Sequence, residues 1–187
     1  MSLPKDFLDK MQTLLKEEYE AFINSYEQEK SLGLRVNTLK TTLDQFETLN
    51  KFDLKSIPWV PEGYFYQQAD RPGKHPYHEA GVYYIQEPSA MSVGTFVEAV
   101  PGEKVLDLCA APGGKSTHVA SQLQQEGLLI TNEIYPQRAK ILSQNIERMG
   151  IKNAVVVNES PQKLAKHFPS YFDRIVVDAP CSQARSE

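Results

Sequence analysis

From residue 104 onward the chain alternates short apolar runs with helix-length segments, and that alternation constrains its fold more than any other feature. The runs are 104–109 (KVLDLC), 128–132 (LLITN), 154–157 (AVVV) and 174–178 (RIVVD). Strands covered on both faces read as continuous apolar runs, and parallel strands need long, usually helical crossovers between them. The intervening stretches supply these: helices are predicted over 113–125, 136–149 and 161–167, with Gly150 capping the second. A further helix should open at Gln86-Glu87-Pro88-Ser89 and run to about Val100, where Pro101-Gly102 stops it. The prediction is an α/β chain built on a Rossmann-like parallel sheet. Ligands of such sheets sit at the carboxyl ends of the strands, so the residues just after each run are the ones to inspect.

The front of the chain follows a different pattern, which divides it into an N-terminal helical, α+β region at 1–85 and the sheet-bearing core at 86–187. Phe7, Met11, Leu14, Leu15, Phe22 and Tyr26 fall at helical spacing and predict one or two amphipathic helices over about 4–28. The segment 34–39 alternates apolar and polar residues as a half-buried strand does, and a short helix should follow near 42–50. Between Ile57 and Tyr84 the prolines, glycines and aromatics predict an irregular linking surface with short strands.

Composition narrows the function classes. Charge begins at the fifth residue with no apolar signal-peptide core, and no run approaches the roughly 18 apolar residues of a membrane span, so a cytoplasmic chain with no membrane partner is expected. Two cysteines, Cys109 and Cys181, cannot build a disulfide framework and belong to no metal-spaced cluster, so no metal is expected and any special role is as thiols. The net charge of −4 argues against a nucleic-acid-binding surface over the whole molecule. Residues 30–74, with seven basic and five acidic groups, are where a basic face would lie.

The sharpest motif is Asp107-Leu-Cys-Ala-Ala-Pro-Gly-Gly-Lys-Ser116, where a strand ends and a helix begins within a few residues. Gly113 and Gly114 allow close backbone approach to a ligand, and the free amides at a helix start favour an anion. Gly114-Lys115-Ser116 ends as a nucleotide-phosphate loop does, but that loop needs a glycine where Cys109 stands. The dinucleotide fingerprint fails as well, because only the adjacent glycine pair is present. An S-adenosylmethionine loop remains, with the glycine amides for a carboxylate and Asp107 beside the ammonium; the competing reading is a tight turn with no ligand. Glu133, immediately after the second run, can accept both hydroxyls of a ribose or be merely a solvated helix-leading acid. Asn158, or its neighbours Glu159 and Ser160, can meet an adenine edge. After the fourth run, Asp178-Ala-Pro-Cys181-Ser182 presents an acid and a thiol together, which suits acid/base or nucleophilic work on a polar heterocycle. The alternative makes Cys181 a small buried residue.

Taken together, DLCAAPGGKS at 107–116, Glu133, NESPQKL at 158–164 and DAPCS at 178–182 resemble the RNA cytosine-5 methyltransferases of the NOL1/NOP2/Sun family, most closely its bacterial RsmF-like ribosomal RNA branch. The upstream segments LRVNTLK at 34–40 and HEAGVYYIQEPSAM at 78–91 match too, so the resemblance covers nearly the whole chain. It implies a class I methyltransferase core behind an RNA-engaging region, and a monomer when full length. S-adenosylmethionine would be held by Cys109, Ala110, Ala111, Pro112, Gly113, Gly114 and Lys115, by Glu133 on the ribose, by Asn158 near the adenine, and by Asp178 at the methyl-transfer face. The reaction implied is methylation of cytosine carbon 5 in ribosomal RNA, with Asp178 and Cys181 as the catalytic residues present.

In that family the attacking cysteine belongs to a later Thr-Cys motif, which these 187 residues do not contain, so the resemblance makes Cys181 the helper in product release. The chain is expected to be an N-terminal portion whose fourth strand is left as an apolar edge, binding cofactor weakly or not at all and turning over no substrate. A non-catalytic RNA-binding or ribosome-assembly module that keeps the cofactor fold is the alternative. For RNA contact the candidates are Lys30, Arg35, Lys40, Lys51, Lys55, Arg71 and Lys74 with their interleaved aromatics, unless these form a solvated face over core aromatics.

Overall fold

A computed structural model of the chain describes residues 3–28 and 30–179, which fall into two compact units divided between Ser31 and Leu32. In the first unit, helix α1 (Lys5–Leu15) leads through a single 3-10 turn into α2 (Tyr19–Ser25). The two helices are held by an aromatic cluster: the Phe22 and Tyr26 rings meet edge to face at 5.3 Å, and Phe7 packs on both. No described helix is long and apolar enough to cross a membrane.

The second unit opens with β1 (Gly33–Val36), α3 (Leu43–Leu49), the hairpin β2 (Lys55–Ile57) and β3 (Val60–Phe65), the single turn α4 (Pro76–Glu79) and β4 (Tyr83–Ile85). Thr42 starts α3 with a capping box shared with Gln45. The four strands pair antiparallel in the order β2-β3-β1-β4. This corrects the linking-surface reading of 57–84. Tyr64, Tyr83 and Tyr84 are buried, and Phe46 of α3 packs with Leu34, Val36, Tyr64 and Tyr83 in a core of their own. The short strands expected within 57–84 are present, but Pro61 and Gly63 inside β3 masked their membership of one sheet.

The parallel half follows with α5 (Pro88–Val97), β5 (Lys104–Asp107), α6 (Gly114–Leu123), β6 (Leu128–Asn132), α7 (Pro136–Met149), β7 (Ala154–Val157), α8 (Pro161–His167) and β8 (Arg174–Val176). Here β6, α7, β7 and α8 have the predicted bounds. Two helices stop early for a local reason: Glu98 ends α5, and Gln124 and Gln125 end α6, each with positive φ. All four strands are parallel, in the order β7-β6-β5-β8. Val105, Val119, Leu123, Leu129, Leu142 and Met149 are the large, fully buried members of the core on the α6 and α7 side. Each such side chain contributes about 1.5–3 kcal/mol of apolar burial. Among the described residues β8 pairs only with β5; Ile175 and Val177 are more than half exposed and share an apolar groove with Val93, Phe96 and Val97.

The antiparallel sheet joins the parallel half through apolar packing, with Met91 of α5 against Ile57 and Val60 and Tyr84 within the parallel core, and through a set of polar bonds. The last carbonyls of a helix have no partner within it. At the end of α7 they are met by the LRVNTLK segment: Asn37 Nδ2 donates to Met149 O at 2.9 Å and to Gly81 O at 2.8 Å, while Lys40 Nζ donates to Arg148 O at 2.8 Å and Ala80 O at 2.6 Å. Gly81, at φ +66°, makes the close approach possible, since a Cβ there would lie 2.0 Å from the Arg148 carbonyl oxygen. Arg148 reciprocates, donating to His78 O and lying over the Tyr84 ring.

These bonds correct the set of RNA candidates. Arg35 has no solvent exposure and bonds α6, which removes it; Lys40 stays exposed, but its ammonium gives two of its three donors to carbonyls. Lys30, Lys51, Lys55, Arg71 and Lys74 are exposed. Asn37→Ala would strand two buried carbonyls, and an unfolding free energy lower by about 2–3 kcal/mol is expected in urea denaturation.

Candidate functional site

The strand order brings the carboxyl ends of β5 and β8 side by side, and the loop after β5 turns at once into α6. Its geometry is set by Gly113, which takes φ +118°, a conformation that side-chain-bearing residues rarely adopt. Thr117 N–H closes back on Gly113 O at 2.8 Å, fixing the first turn. A Cβ on Gly114 would stand 3.1 Å from the Gln86 side-chain amide, so the loop backbone packs directly against the segment that follows β4.

Beside this loop opens a cavity of about 430 Å³, within the range of small-molecule sites. Cys109, Ala110, Ala111, Pro112, Gly114 and Lys115 all line it, with Gln86 and Tyr84 from the antiparallel side and Arg138 and Asp178 at its edges. Gly113 supplies the turn behind it. The Lys115 ammonium meets the Asp178 carboxylate at 2.6 Å, the lysine mostly covered and the acid half exposed. Lys115 therefore sits on the same side of the cleft as the acid that follows β8, a pairing that 63 residues of separation conceal in the sequence.

Asp107 is not in the cavity lining. It is fully buried, its Oδ2 accepts from Ser116 Oγ at 2.7 Å, and burial holds its carboxyl above the usual aspartate range despite that bond. It braces the loop from beneath. Asn132 does the same from β6, donating to Leu108 O while its backbone carbonyl accepts from Ala110 N.

Glu133 is 3% exposed at the end of β6. Its Oε1 accepts from the Tyr135 amide at 3.0 Å and its Oε2 from Arg138 at 3.1 Å, and Arg138 also reaches Ala111 O at 2.8 Å. Arg138 thus ties the two strand ends together, a role that sequence reading missed because an arginine in the first turn of α7 looks like an ordinary surface residue. Glu133 borders a smaller apolar recess with Leu108, Ile134, Tyr135 and Pro161. Asn158 Nδ2 donates to Glu133 O; Glu159 pairs with Lys163, and Ser160 caps α8. Of these three, only Asn158 touches the Glu133 backbone. Cys181 lies outside the described residues.

Cys109 is the one free cysteine among the described residues. Burial pushes its thiol up, and the nearby carboxylates of Asp107, Glu133 and Asp178 push the same way. A thiol so placed stays protonated near neutrality and packs against the cavity instead of attacking.

Two family profiles match the chain: the N-terminal domain of 16S rRNA methyltransferase RsmF over residues 3–88, and 16S rRNA methyltransferase RsmB/F over residues 95–185. Similar proteins include ribosomal RNA small subunit methyltransferase F of Pectobacterium atrosepticum, 36% identical over 97% of this chain and 40% of that one. The enzyme of the same name from Vibrio vulnificus is 37% identical over 96% and 40%. The chain therefore spans 40% of the length of these relatives. Among solved structures, a methyltransferase homologue from Pyrococcus horikoshii superposes with a TM-score of 0.83 at 30% identity, covering 97% of this chain and 60% of its own. NSun6 from Pyrococcus horikoshii with SFG shares the fold, with a TM-score of 0.82 at 20% identity over 95% and 71%.

Because the raised thiol pKa lowers the thiolate fraction, iodoacetamide should alkylate Cys109 more slowly than free cysteine at about pH 8, and the gap should narrow as pH rises. Peptide mass spectrometry reads the rate, and parity with free cysteine at that pH would contradict the partly buried placement.

Proposed function

Since the chain belongs to the RsmB/F family of 16S ribosomal RNA methyltransferases, we propose that its cleft is an S-adenosylmethionine site serving methylation of cytosine carbon 5 in ribosomal RNA. The observation that carries this reading is the strand-end cavity lined by residues 109–112, Gly114, Lys115 and Asp178, with the buried acid Glu133 in an adjoining smaller recess that shares Cys109 and Arg138 with it. The crevice suits the group chemically. Loop amides at the start of α6 favour a carboxylate. Glu133 accepts one hydrogen bond on each oxygen from the protein, and a carboxylate has about four lone-pair sites, so acceptor capacity remains for ribose hydroxyls. Asn158, held against the Glu133 backbone, is the adenine-side candidate.

When bound, S-adenosylmethionine supplies an electrophilic methyl group. Asp178 offers an acceptor to the amino edge of cytosine, a pairing that acids make with that base, and the ion pair with Lys115 orients the acid. Carbon 5 of cytosine is nucleophilic only after a thiolate adds to carbon 6, which requires an unstacked base. Cys109, whose thiol is pushed up by burial, is unsuited to that addition, and the family resemblance gives Cys181 the role of helper in product release. The family resemblance assigns the nucleophile of the reaction to a Thr-Cys motif, which is not among the 187 residues. The chain alone, expected from its sequence to bind cofactor weakly or not at all, has the loop and cavity for it among the described residues. Weak but measurable cofactor binding and no methylation of ribosomal RNA are therefore expected; label transferred from S-adenosylmethionine to 16S RNA in a single turnover would overturn that.

Titration calorimetry tests the cofactor assignment. Glu133→Ala should weaken S-adenosylmethionine binding by about tenfold to a hundredfold, the worth of hydrogen bonds to a buried carboxylate; equal affinity in both proteins would discard the ribose role. For RNA, exposed Lys51, Lys55, Arg71 and Lys74 remain the candidates in the second unit. Replacing Lys55, Arg71 and Lys74 with glutamine should lower RNA affinity and flatten its log–log salt dependence by about 0.7 for each single-strand phosphate that is no longer neutralised. An unchanged slope would remove these residues from the interface.

A further inference from the structure

One side chain of the antiparallel sheet reaches the loop of the cleft. Arg35 lies on β1 opposite Gly63 of β3 and Tyr84 of β4, and it is fully buried. Its Nη2 donates to Thr117 Oγ1 at 2.8 Å and to the Gly114 carbonyl at 3.2 Å. Among the described residues, Nε and Nη1 are buried without a partner. Glu62 is the nearest counter-charge, and its carboxylate is bound at 2.7 Å by Nε2 of His118, the residue after Thr117.

A guanidinium in such a place is costly. Desolvation of a cation costs several kcal/mol, and unpaired donors add to it, whereas an apolar side chain of similar volume would fill the space without either penalty. What only a long cationic donor supplies here is a hydrogen bond to the Gly114 carbonyl from outside α6.

We propose that Arg35 is a positioning residue for the cofactor loop, holding the Gly114 carbonyl so that the amide of Lys115 and the start of α6 stay aimed into the cleft. The link between the two ends is covalent geometry: the Gly114 C=O and the Lys115 N–H belong to one planar trans peptide and point in opposite directions. Fixing one fixes the other. Thr117 extends the clamp, since its hydroxyl accepts from Arg35 while its amide closes the turn on Gly113 O. The inference rests on the S-adenosylmethionine reading of the cleft and extends it by making the antiparallel sheet part of the cofactor site.

Arg35→Met keeps bulk and removes the donors, and Arg35→Lys returns one donor. The full chain in each form is compared with wild type by amide hydrogen exchange and by calorimetric titration with S-adenosylhomocysteine. In Arg35→Met the Thr117 amide should exchange about tenfold faster, as loss of one hydrogen bond predicts. The Leu108 and Leu129 amides, which bond Val176 O and Asn153 O in the sheet, should keep wild-type rates. Ligand affinity should fall by about the same tenfold factor, and Arg35→Lys should recover most of both effects. An unchanged Thr117 rate overturns the proposal. So does uniform acceleration that includes Leu108 and Leu129 and that lysine fails to reverse, because disrupted core packing produces that pattern. If wild type itself gives no heat, the cofactor reading falls, and the exchange rates still decide whether Arg35 holds the loop.

Discussion

A parallel sheet wound steadily outward sends all its crossovers the same way and leaves no opening at its carboxyl edge. Here β5 has β6 on one side and β8 on the other, so the connections leaving β5 and entering β8 run in opposite directions. The opening between them is the cleft, and everything chemical on the chain is arranged around it. The loop after β5 and the acid after β8 line it, and the acid after β6 borders a smaller recess next to it that shares Cys109 and Arg138. Remove the reversal and Lys115 has no Asp178 to meet.

The second organising force is the need of helix ends for partners. The carboxyl end of α7 points its carbonyls at the antiparallel sheet, which answers with Asn37 and Lys40. Arg35 reaches the amino end of α6 differently, donating to the Gly114 carbonyl and the Thr117 hydroxyl and leaving the free amides of that end for a ligand. One neutral polar side chain and two charged ones, spaced two and three residues apart along a single segment, thereby connect two sheets that share no strand. Polar bonds in a dry interface are geometrically strict, because a misplaced donor costs more than a misplaced methyl group. The resulting interface admits little sliding.

The sequence was legible where local signals and burial agree. Pro136 at the first position of α7, Gly150 in the left-handed conformation after it, and the unbroken AVVV of β7 all state their roles locally. It was illegible where a strand is covered on both faces by different things. Leu34-Arg35-Val36 alternates like a half-exposed strand, yet all three residues are buried, because Leu34 and Val36 pack against α3 and Arg35 against α6. No periodicity distinguishes a face covered by water from one covered by the polar start of a helix. The glycine loop and Glu133 could be picked out from position alone, whereas Arg138 and Gln86 gain their places at the cleft only from tertiary geometry.

The hydrogen bond between Asn37 and Met149 spans 112 residues. A ribosome adding about 5–20 residues per second needs on the order of ten seconds to make the second partner after the first. During that interval the antiparallel strands can form their own core around Phe46 and Tyr83, but the face carrying Arg35 and Asn37 has nothing to dock on. Two polar side chains that will end up dry spend that time hydrated beside the Tyr84 ring, which makes the waiting surface less sticky than a wholly apolar one. The costly polarity of the interface thus doubles as protection during synthesis, when the half-made protein is most exposed to the wrong neighbours.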